Sequence, residues 1–168
     1  MLTFVHAENS DQITIARELM LEYATALAVD LCFQNFEEEM RTLPGRYAPP
    51  AGRLLLALWD GQPAGVIALR PLEKSGTAGA KAEDGICEMK RLYVRPAFRG
   101  HSLGRALAEK LITEAREIGY ARMRLDTMVN KMDRAIALYR ELGFTEVLPY
   151  YNTPVTQALF MELLLQPA

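Results

Sequence analysis

The residues best suited to chemistry lie between a strand-like run that ends at Val94 and a helical segment that begins near Leu103. Three arginines flank this opening: Arg95, Arg99 and Arg105. The first amides of a helix have no carbonyl partner within it and carry about half a positive charge. Gly100 and Gly104 let the backbone approach a ligand closely. The segment therefore predicts an anion site, and a pyrophosphate is the ligand that suits it.

Other patterns for nucleotide or metal binding are absent. Neither GxxxxGK[ST] nor GxGxxG occurs, so an ATP or nicotinamide site lacks its fingerprint. An ordinary turn with solvated arginines explains the segment equally well when it is taken alone. Cys32 and Cys87 have no CxxC spacing and no nearby histidine, so we expect no metal site. Cys87 is predicted to be a small buried hydrophobe.

The composition predicts one globular domain over residues 1–168. Half of the 168 residues are hydrophobic and 24% are charged, which excludes a disordered or low-complexity chain. The formal net charge is −2, whereas nucleic-acid-binding domains are usually clearly basic, so we expect no nucleic-acid partner. The start lacks a signal peptide, and no apolar run approaches the ~18 residues of a membrane span. We therefore expect a cytoplasmic protein without membrane contact.

Hydrophobic spacing and turn residues predict a mixed α/β sheet. Strands are predicted over residues 3–7, 53–59, 64–71, 86–94, 122–128, 144–148 and 158–165. Helices are predicted from a cap at Ser10 or Asp11 to residue 28, and over residues 33–42, 103–118 and 133–142. Asp60-Gly61 between two apolar runs predicts a hairpin, and residues 74–84 predict a mobile loop.

The segment ICEMKRLYVRPAFRGHSLGRALAEKL, followed by LDT and AIALYRELGF, resembles the GNAT superfamily of N-acetyltransferases. The resemblance is close over residues 88–144. It implies a mixed, mostly antiparallel central sheet of about seven strands, splayed in the middle and flanked by about four helices. It also implies acetyl-CoA as the co-substrate. In that family an R/Q-x-x-G-x-G/A loop binds the coenzyme A pyrophosphate, and here Ser102 replaces its first glycine.

The resemblance also implies cofactor-binding residues. The backbones of Leu92 and Val94, on either side of Tyr93, would pair with the pantetheine arm like an added strand. Asn130 would hydrogen-bond a pantetheine amide. The pyrophosphate would be held by the loop residues Arg99, Gly100, His101, Ser102, Leu103 and Gly104, with Arg105 nearby.

Acetyl transfer to an amine needs a neutral amine, a stabilised oxyanion and a proton for the departing thiolate. Because an ammonium has a pKa of about 10.4 and a thiol of about 8.5, a base and an acid would each help by about 10²–10⁴-fold. The resemblance makes Tyr139 the candidate acid, and packing in the core is the alternative. Glu88 is the candidate base, directly or through water, and an ion pair with Lys90 or Arg91 is the alternative. A backbone N–H of the same strand would meet the oxyanion.

No motif identifies the acceptor. In the family it enters between the first two helices and the late strands, here near residues 32–47 and 149–157. The acidic run 37–39 would attract a cationic amine, but we favour a solvated helix face. Wall residues of a pocket could be Tyr47, Tyr150, Tyr151 and Asn152, and the three tyrosines could equally lie at the edge of the core. A small amine, an amino acid and a protein or peptide N-terminus all stay open.

We therefore expect an acyltransferase that moves an acetyl group from acetyl-CoA to a primary amine in a ternary complex. Direct transfer is favoured because neither cysteine has an activating histidine. Two alternatives stay open: a coenzyme A-binding sensor or interaction module that has lost catalysis, and a phosphate-binding α/β domain without thioester chemistry. The last predicted strand, residues 158–165, is expected to be exposed and could pair with a second subunit to form a homodimer.

Overall fold

The computed structural model describes residues 1–28, 35–73 and 82–166. Seven strands and four α-helices lie in these ranges, which confirms the predicted fold class. The strands are β1 (Leu2–His6), β2 (Arg53–Trp59), β3 (Gln62–Glu73), β4 (Ala82–Val94), β5 (Arg122–Met128), β6 (Thr145–Val147) and β7 (Ala158–Leu164). The helices are α1 (Ser10–Leu27), α2 (Phe36–Thr42), α3 (Leu103–Ile118) and α4 (Asp133–Glu141), with 3-10 turns at Gly45–Tyr47 and Pro96–Phe98. None of the described helices is long and apolar enough to cross a membrane.

The strands hydrogen-bond in the order β1-β2-β3-β4-β5-β7-β6. The pairs β1/β2, β2/β3, β5/β7 and β6/β7 are antiparallel, whereas β4 and β5 are parallel. The register of β4 and β5 runs from Ile86 opposite Arg122 to Glu88 opposite Arg124. Because β7 lies between β5 and β6, the prediction of an exposed final strand is wrong. The homodimer stays a prediction, but an exposed final strand no longer supports it.

Local signals explain the first helix and hairpin. Asn9 Oδ1 accepts the Gln12 N–H at 2.9 Å, and Gln12 Oε1 accepts the Asn9 N–H at 3.2 Å. This capping box starts α1 after Asn9, so the predicted cap at Ser10 or Asp11 is wrong. Asp60 and Gly61 have φ values of 48° and 81°, the left-handed pair that a tight hairpin requires.

Several predicted boundaries differ from the structure by one or two residues, and the starts of α2 and β4 differ by more. Helix α2 starts at Phe36, and the predicted start at residue 33 lies outside the described residues, as does Cys32. Strand β4 starts at Ala82, so the last residues of the predicted loop 74–84 belong to a strand. Residues 74–81 lie outside the described part of the chain.

The chain divides into two compact units. The first unit contains residues 1–70 and 89–111, and its core combines one face of α1 with inward side chains of β2 and β3. The main members of this cluster are Ala16, Leu19, Met20, Leu54, Leu56 and Val66. Burial of these apolar groups is the main force that holds α1 on the strands.

The second unit contains residues 71–88 and 112–168. Its β5 and β7 are in register over their whole length, with Met123 opposite Leu163 and Leu125 opposite Met161. These four side chains are buried. Because side chains alternate along a strand, the other face of the pair carries polar residues. That face holds candidate site residues.

Candidate active site

The segment between β4 and α3 contains two residues with a left-handed backbone, close to the start of the helix. Gly100 and Ser102 have φ values of 89° and 58°, both in the left-handed region. The Ser102 carbonyl accepts the Ala106 N–H at 3.0 Å, so the first helical turn follows Ser102 directly. Amides of that turn have no acceptor within the helix, and a turn of this kind can direct successive N–H groups at one anion. The residues present therefore fit a pyrophosphate.

Ser102 occupies the position where the GNAT loop pattern has glycine. A left-handed backbone costs a residue with a Cβ atom about 1–2 kcal/mol, and glycine avoids this cost. The φ of 58° at Ser102 explains why glycine is suited to this point of the loop. The side chain of Ser102 is small and exposed to solvent. The loop therefore keeps this turn without glycine.

The three arginines at the loop have different partners. Arg95 forms a bidentate pair with Glu22 at 2.8 and 3.1 Å and donates to the Pro63 carbonyl at 3.0 Å. Arg99 Nε donates to the Val94 carbonyl at 3.2 Å, and Arg105 lies 3.5 Å from Glu109. The Arg95 side chain therefore joins α1 to the β2–β3 hairpin within the first unit. Arg99 and Arg105 stay the candidates for contact with phosphate.

A ring stack joins the loop to β2. The exposed His101 stacks on Trp59 with ring centroids 4.6 Å apart and an angle of 27° between planes. Trp59 is the only tryptophan of the chain. No local sequence pattern predicts this contact, because the two residues are far apart in the chain. The stack places a fluorescent side chain against the candidate phosphate loop.

Strand β4 is continuous but irregular at Arg91, which has a left-handed φ of 62°. Regular alternation, which would put Glu88 and Leu92 on one face, does not extend across this residue. Tyr93 is buried, and Leu92 and Val94 are half-buried. The irregularity lies directly before Leu92, Tyr93 and Val94, which are predicted to bind the coenzyme.

Arg91 is held by Glu39 of α2. Its guanidinium is buried and donates to the two Glu39 oxygens at 2.9 and 3.1 Å, and the Tyr47 hydroxyl donates to Glu39 at 2.9 Å. Burial favours protonation of Glu39, but the hydrogen bonds and charge of Arg91, helped by Tyr47, outweigh it and lower the pKa of Glu39. The prediction of a solvated face is wrong for Glu39, whereas Glu38 is exposed and pairs with Arg41.

Glu88 is buried in the second unit, where Tyr150 is its partner. The Tyr150 hydroxyl donates to Glu88 Oε2 at 2.6 Å, and Glu88 is 2% exposed. Burial first, and then the negative charges of Glu88 and Asp126, raise the pKa of Tyr150 well above its ordinary value. Tyr151 donates to Asp126 at 2.5 Å. Both late tyrosines therefore donate to carboxylates, and both rings also pack on Phe160. Their role as walls of an acceptor pocket stays a prediction.

Two arginines lie on the same face as Glu88. Arg124 donates to Glu162 at 2.7 Å, Arg122 donates to Glu162 at 2.9 Å, and the Arg124 guanidinium lies 5.5 Å from the centre of the Tyr150 ring. We call this set the polar face of the second unit: Glu88, Arg122, Arg124, Tyr150 and Glu162. Sequence reasoning missed both arginines, because only the register of β4, β5 and β7 brings them beside Glu88.

The remaining predicted residues also lie in the second unit. Tyr139 of α4 is 4% exposed, and its ring centre is 5.7 Å from that of Phe144. Asn130 is exposed with a φ of 71°, and its N–H donates to Asp133 Oδ1 at 3.0 Å. These contacts are compatible with core packing of Tyr139 and a turn at Asn130, so their functional roles stay predictions.

Cys87 is buried, as predicted, and its Sγ lies 3.4 Å from the Arg122 carbonyl oxygen. Burial, followed by the charge of Glu88, raises the pKa of the Cys87 thiol far above its ordinary value, although a backbone hydrogen bond opposes this. The thiol is therefore a poor nucleophile at neutral pH. Within the described ranges, no cluster of three metal-ligating side chains occurs.

The family model of the acetyltransferase (GNAT) family matches residues 15–144. The chain belongs to this family. Over 146 residues it is 36% identical to an uncharacterized N-acetyltransferase of Schizosaccharomyces pombe, with 86% of this chain and 83% of the relative covered. This membership confirms the resemblance and makes the protein an acyltransferase.

Solved GNAT structures share the fold. A GNAT-family acetyltransferase of Staphylococcus aureus has a TM-score of 0.77 at 18% identity, covering 99% of this chain and 100% of the other. An N-acetyltransferase of Thermoplasma acidophilum in complex with coenzyme A has a TM-score of 0.70 at 14% identity, covering 98% and 99%.

Proposed function

We propose that this GNAT enzyme transfers the acetyl group of acetyl-CoA to a primary amine by direct attack in a ternary complex. The observation that carries the proposal is the turn formed by left-handed Gly100 and Ser102 at the start of α3. In a chain of this family, such a turn is suited to the coenzyme pyrophosphate through its amides. Arg99 and Arg105 would add positive charge beside the phosphates.

Glu88 is proposed to take a proton from the acceptor ammonium, directly or through one water. It is buried and already oriented by the Tyr150 hydroxyl at 2.6 Å. A carboxylate accepts several hydrogen bonds, so it can bind Tyr150 and a second donor together. A base is required because a protonated amine has no lone pair for attack, and its ordinary pKa is about 10.4.

Acetyl-CoA supplies an acetyl group activated as a thioester. The ammonium loses one proton to Glu88, and the C–N bond forms as the C–S bond breaks. The nitrogen then loses its second proton to solvent. Tyr139 gives its hydroxyl proton to the departing sulfur and regains a proton from solvent. A backbone N–H of Leu92 or Val94 is proposed to stabilise the negative charge that develops on the acetyl oxygen. Leu92, Tyr93, Val94 and Asn130 are proposed to hold the pantetheine arm.

Direct transfer is supported by Cys87. A covalent route needs an accessible thiolate, whereas this thiol is buried and its pKa is raised. The cytoplasmic location and the lack of a nucleic-acid partner stay predictions from the sequence.

Initial-velocity kinetics test the proposal, with release of the coenzyme thiol as the signal and a broad amine panel as acceptors. Intersecting lines are expected when acetyl-CoA and amine are varied together, and Cys87→Ala should keep its turnover. Parallel lines together with loss of activity in Cys87→Ala would establish an acyl-enzyme instead. Glu88→Gln should flatten the rise of rate toward alkaline pH, and an unaltered profile would assign the base to another residue.

Cofactor binding is tested separately by fluorescence. Because Trp59 stacks on His101, coenzyme A bound at the loop should change the emission of this single tryptophan. ATP and NAD serve as controls. A response to ATP or NAD alone would contradict the assignment of the loop to coenzyme A.

A further inference from the structure

A cavity of about 720 Å³ opens on the polar face of the second unit. Its lining residues are Arg122, Arg124, Glu146, Val147, Leu148, Tyr150 and Glu162. The cavity is broadly open to solvent, and its volume is sufficient for a small molecule. The cavity shares Tyr150 with Glu88, so its contents would lie near the proposed base.

Strand register sets the distance between the base and the cations. Glu88 of β4 is directly opposite Arg124 of β5, and opposite residues of paired strands point to the same face. Neighbouring strands lie about 4.8 Å apart. A ligand that places an amine at Glu88 and a second group at Arg124 therefore needs only a few bonds between the two groups.

The charges in the cavity favour a ligand with both signs. Arg122 and Arg124 share one carboxylate, Glu162, and Glu146 is the second acidic lining residue. A guanidinium has five N–H donors, so an arginine that binds one carboxylate can bind a second. The Arg122 side chain is 49% exposed and accessible to such a ligand. The two arginines and two glutamates give the cavity lining no net charge, which favours a zwitterionic ligand over a polyanion or a polyamine.

We propose that the acceptor is an amino acid, whose carboxylate binds Arg122 and Arg124 while its amine meets Glu88. This inference rests on the proposed function, since it assigns the substrate class to the same site. The product is the N-acetylated amino acid, formed by the balanced step given above. Arg122 and Arg124 are specificity determinants that bind the non-reacting end of the acceptor.

The test compares each of the twenty common amino acids with its amide, which keeps the amine and removes the negative charge. We expect wild-type kcat/KM to be about 10-fold or more higher for at least one amino acid than for its amide, because hydrogen bonds to charged groups are the strong ones. Arg122→Gln should remove this preference by raising KM for the amino acid toward KM for its amide. Arg124→Gln is the second cavity variant and should also lose the preference. The matched control is Arg140→Gln, at an exposed position of α4, which should keep the preference.

Equal kcat/KM for every acid and its amide would overturn the inference, as would a preference that survives in both cavity variants. Turnover of other amines without a carboxylate preference would leave the proposed function intact and refute only the substrate class. If no amine is acetylated, the proposed function fails. In that case, each amino acid is titrated calorimetrically into the protein mixed with coenzyme A. Binding of an amino acid would support this inference, and absence of binding would refute it.

Discussion

Replacement of Glu39 by glutamine tests whether a long-range ion pair holds β4 in its irregular shape. Glu39 binds the buried guanidinium of Arg91 and accepts from Tyr47, and the Glu39 side chain is 11% exposed. Glu39→Gln keeps the size of the side chain and removes its charge. The guanidinium then stays buried without its counter-charge, which is strongly unfavourable.

The expected loss of stability is large. Removing one partner of a buried pair costs about 3–5 kcal/mol, and we expect the lower end because the amide can still accept a hydrogen bond from Arg91. For a chain of this size, 1 kcal/mol shifts Tm by about 2–4 °C. Glu39→Gln should therefore lower Tm by about 6–12 °C at neutral pH. Glu38→Gln is the control, since the Glu38–Arg41 pair is exposed, and its Tm should change little.

The effect should depend on pH with a defined sign. Because the pKa of Glu39 is lowered in the folded protein, its stabilisation is fully present above the unfolded pKa and is lost as pH falls through the folded pKa. The gap in Tm between wild type and Glu39→Gln should thus be largest near pH 7 and narrow on acidification below the ordinary carboxyl range. Scanning calorimetry across this range measures it. A gap that is independent of pH, or no larger than that of Glu38→Gln, would refute the reasoning.

Three further predictions concern the coenzyme site. Gly104→Val should abolish coenzyme A binding in calorimetry while Tm stays close to wild type, because the side chain blocks approach to the first turn of α3; unchanged affinity would contradict the loop assignment. Ser102→Gly should keep coenzyme affinity, because glycine adopts a left-handed backbone freely. Ser102→Val places a β-branched side chain at a φ of 58° and should lower both coenzyme affinity and Tm. Equal affinity and Tm in the two variants would contradict the importance of the left-handed turn. Tyr139→Phe should keep the packing on Phe144 and lower kcat by about 10²-fold, with coenzyme affinity preserved; wild-type kcat would remove Tyr139 from the mechanism.

Local patterns in the sequence were sufficient to predict most of the helices and strands. The apolar spacing and the terminal glycine of residues 103–119 predict α3 with its observed bounds, and Asp60-Gly61 predicts the β2–β3 hairpin. These signals succeed because a helix or a tight turn is decided by neighbours within a few residues. The loop pattern from Arg99 to Gly104, with Tyr139 downstream, was also sufficient to indicate the family.

The partners of the buried charges were decided only by the tertiary structure. Glu38 and Glu39 are adjacent, yet Glu38 meets solvent and Arg41, whereas Glu39 meets Arg91 from another part of the chain. Glu88 has Tyr150 as a partner and lies beside Arg124, through strand pairing that joins distant segments. The sequence by itself determined which groups could do chemistry. Their pairing depends on strand register and burial, which arise from contacts between residues far apart in the chain and leave no local pattern.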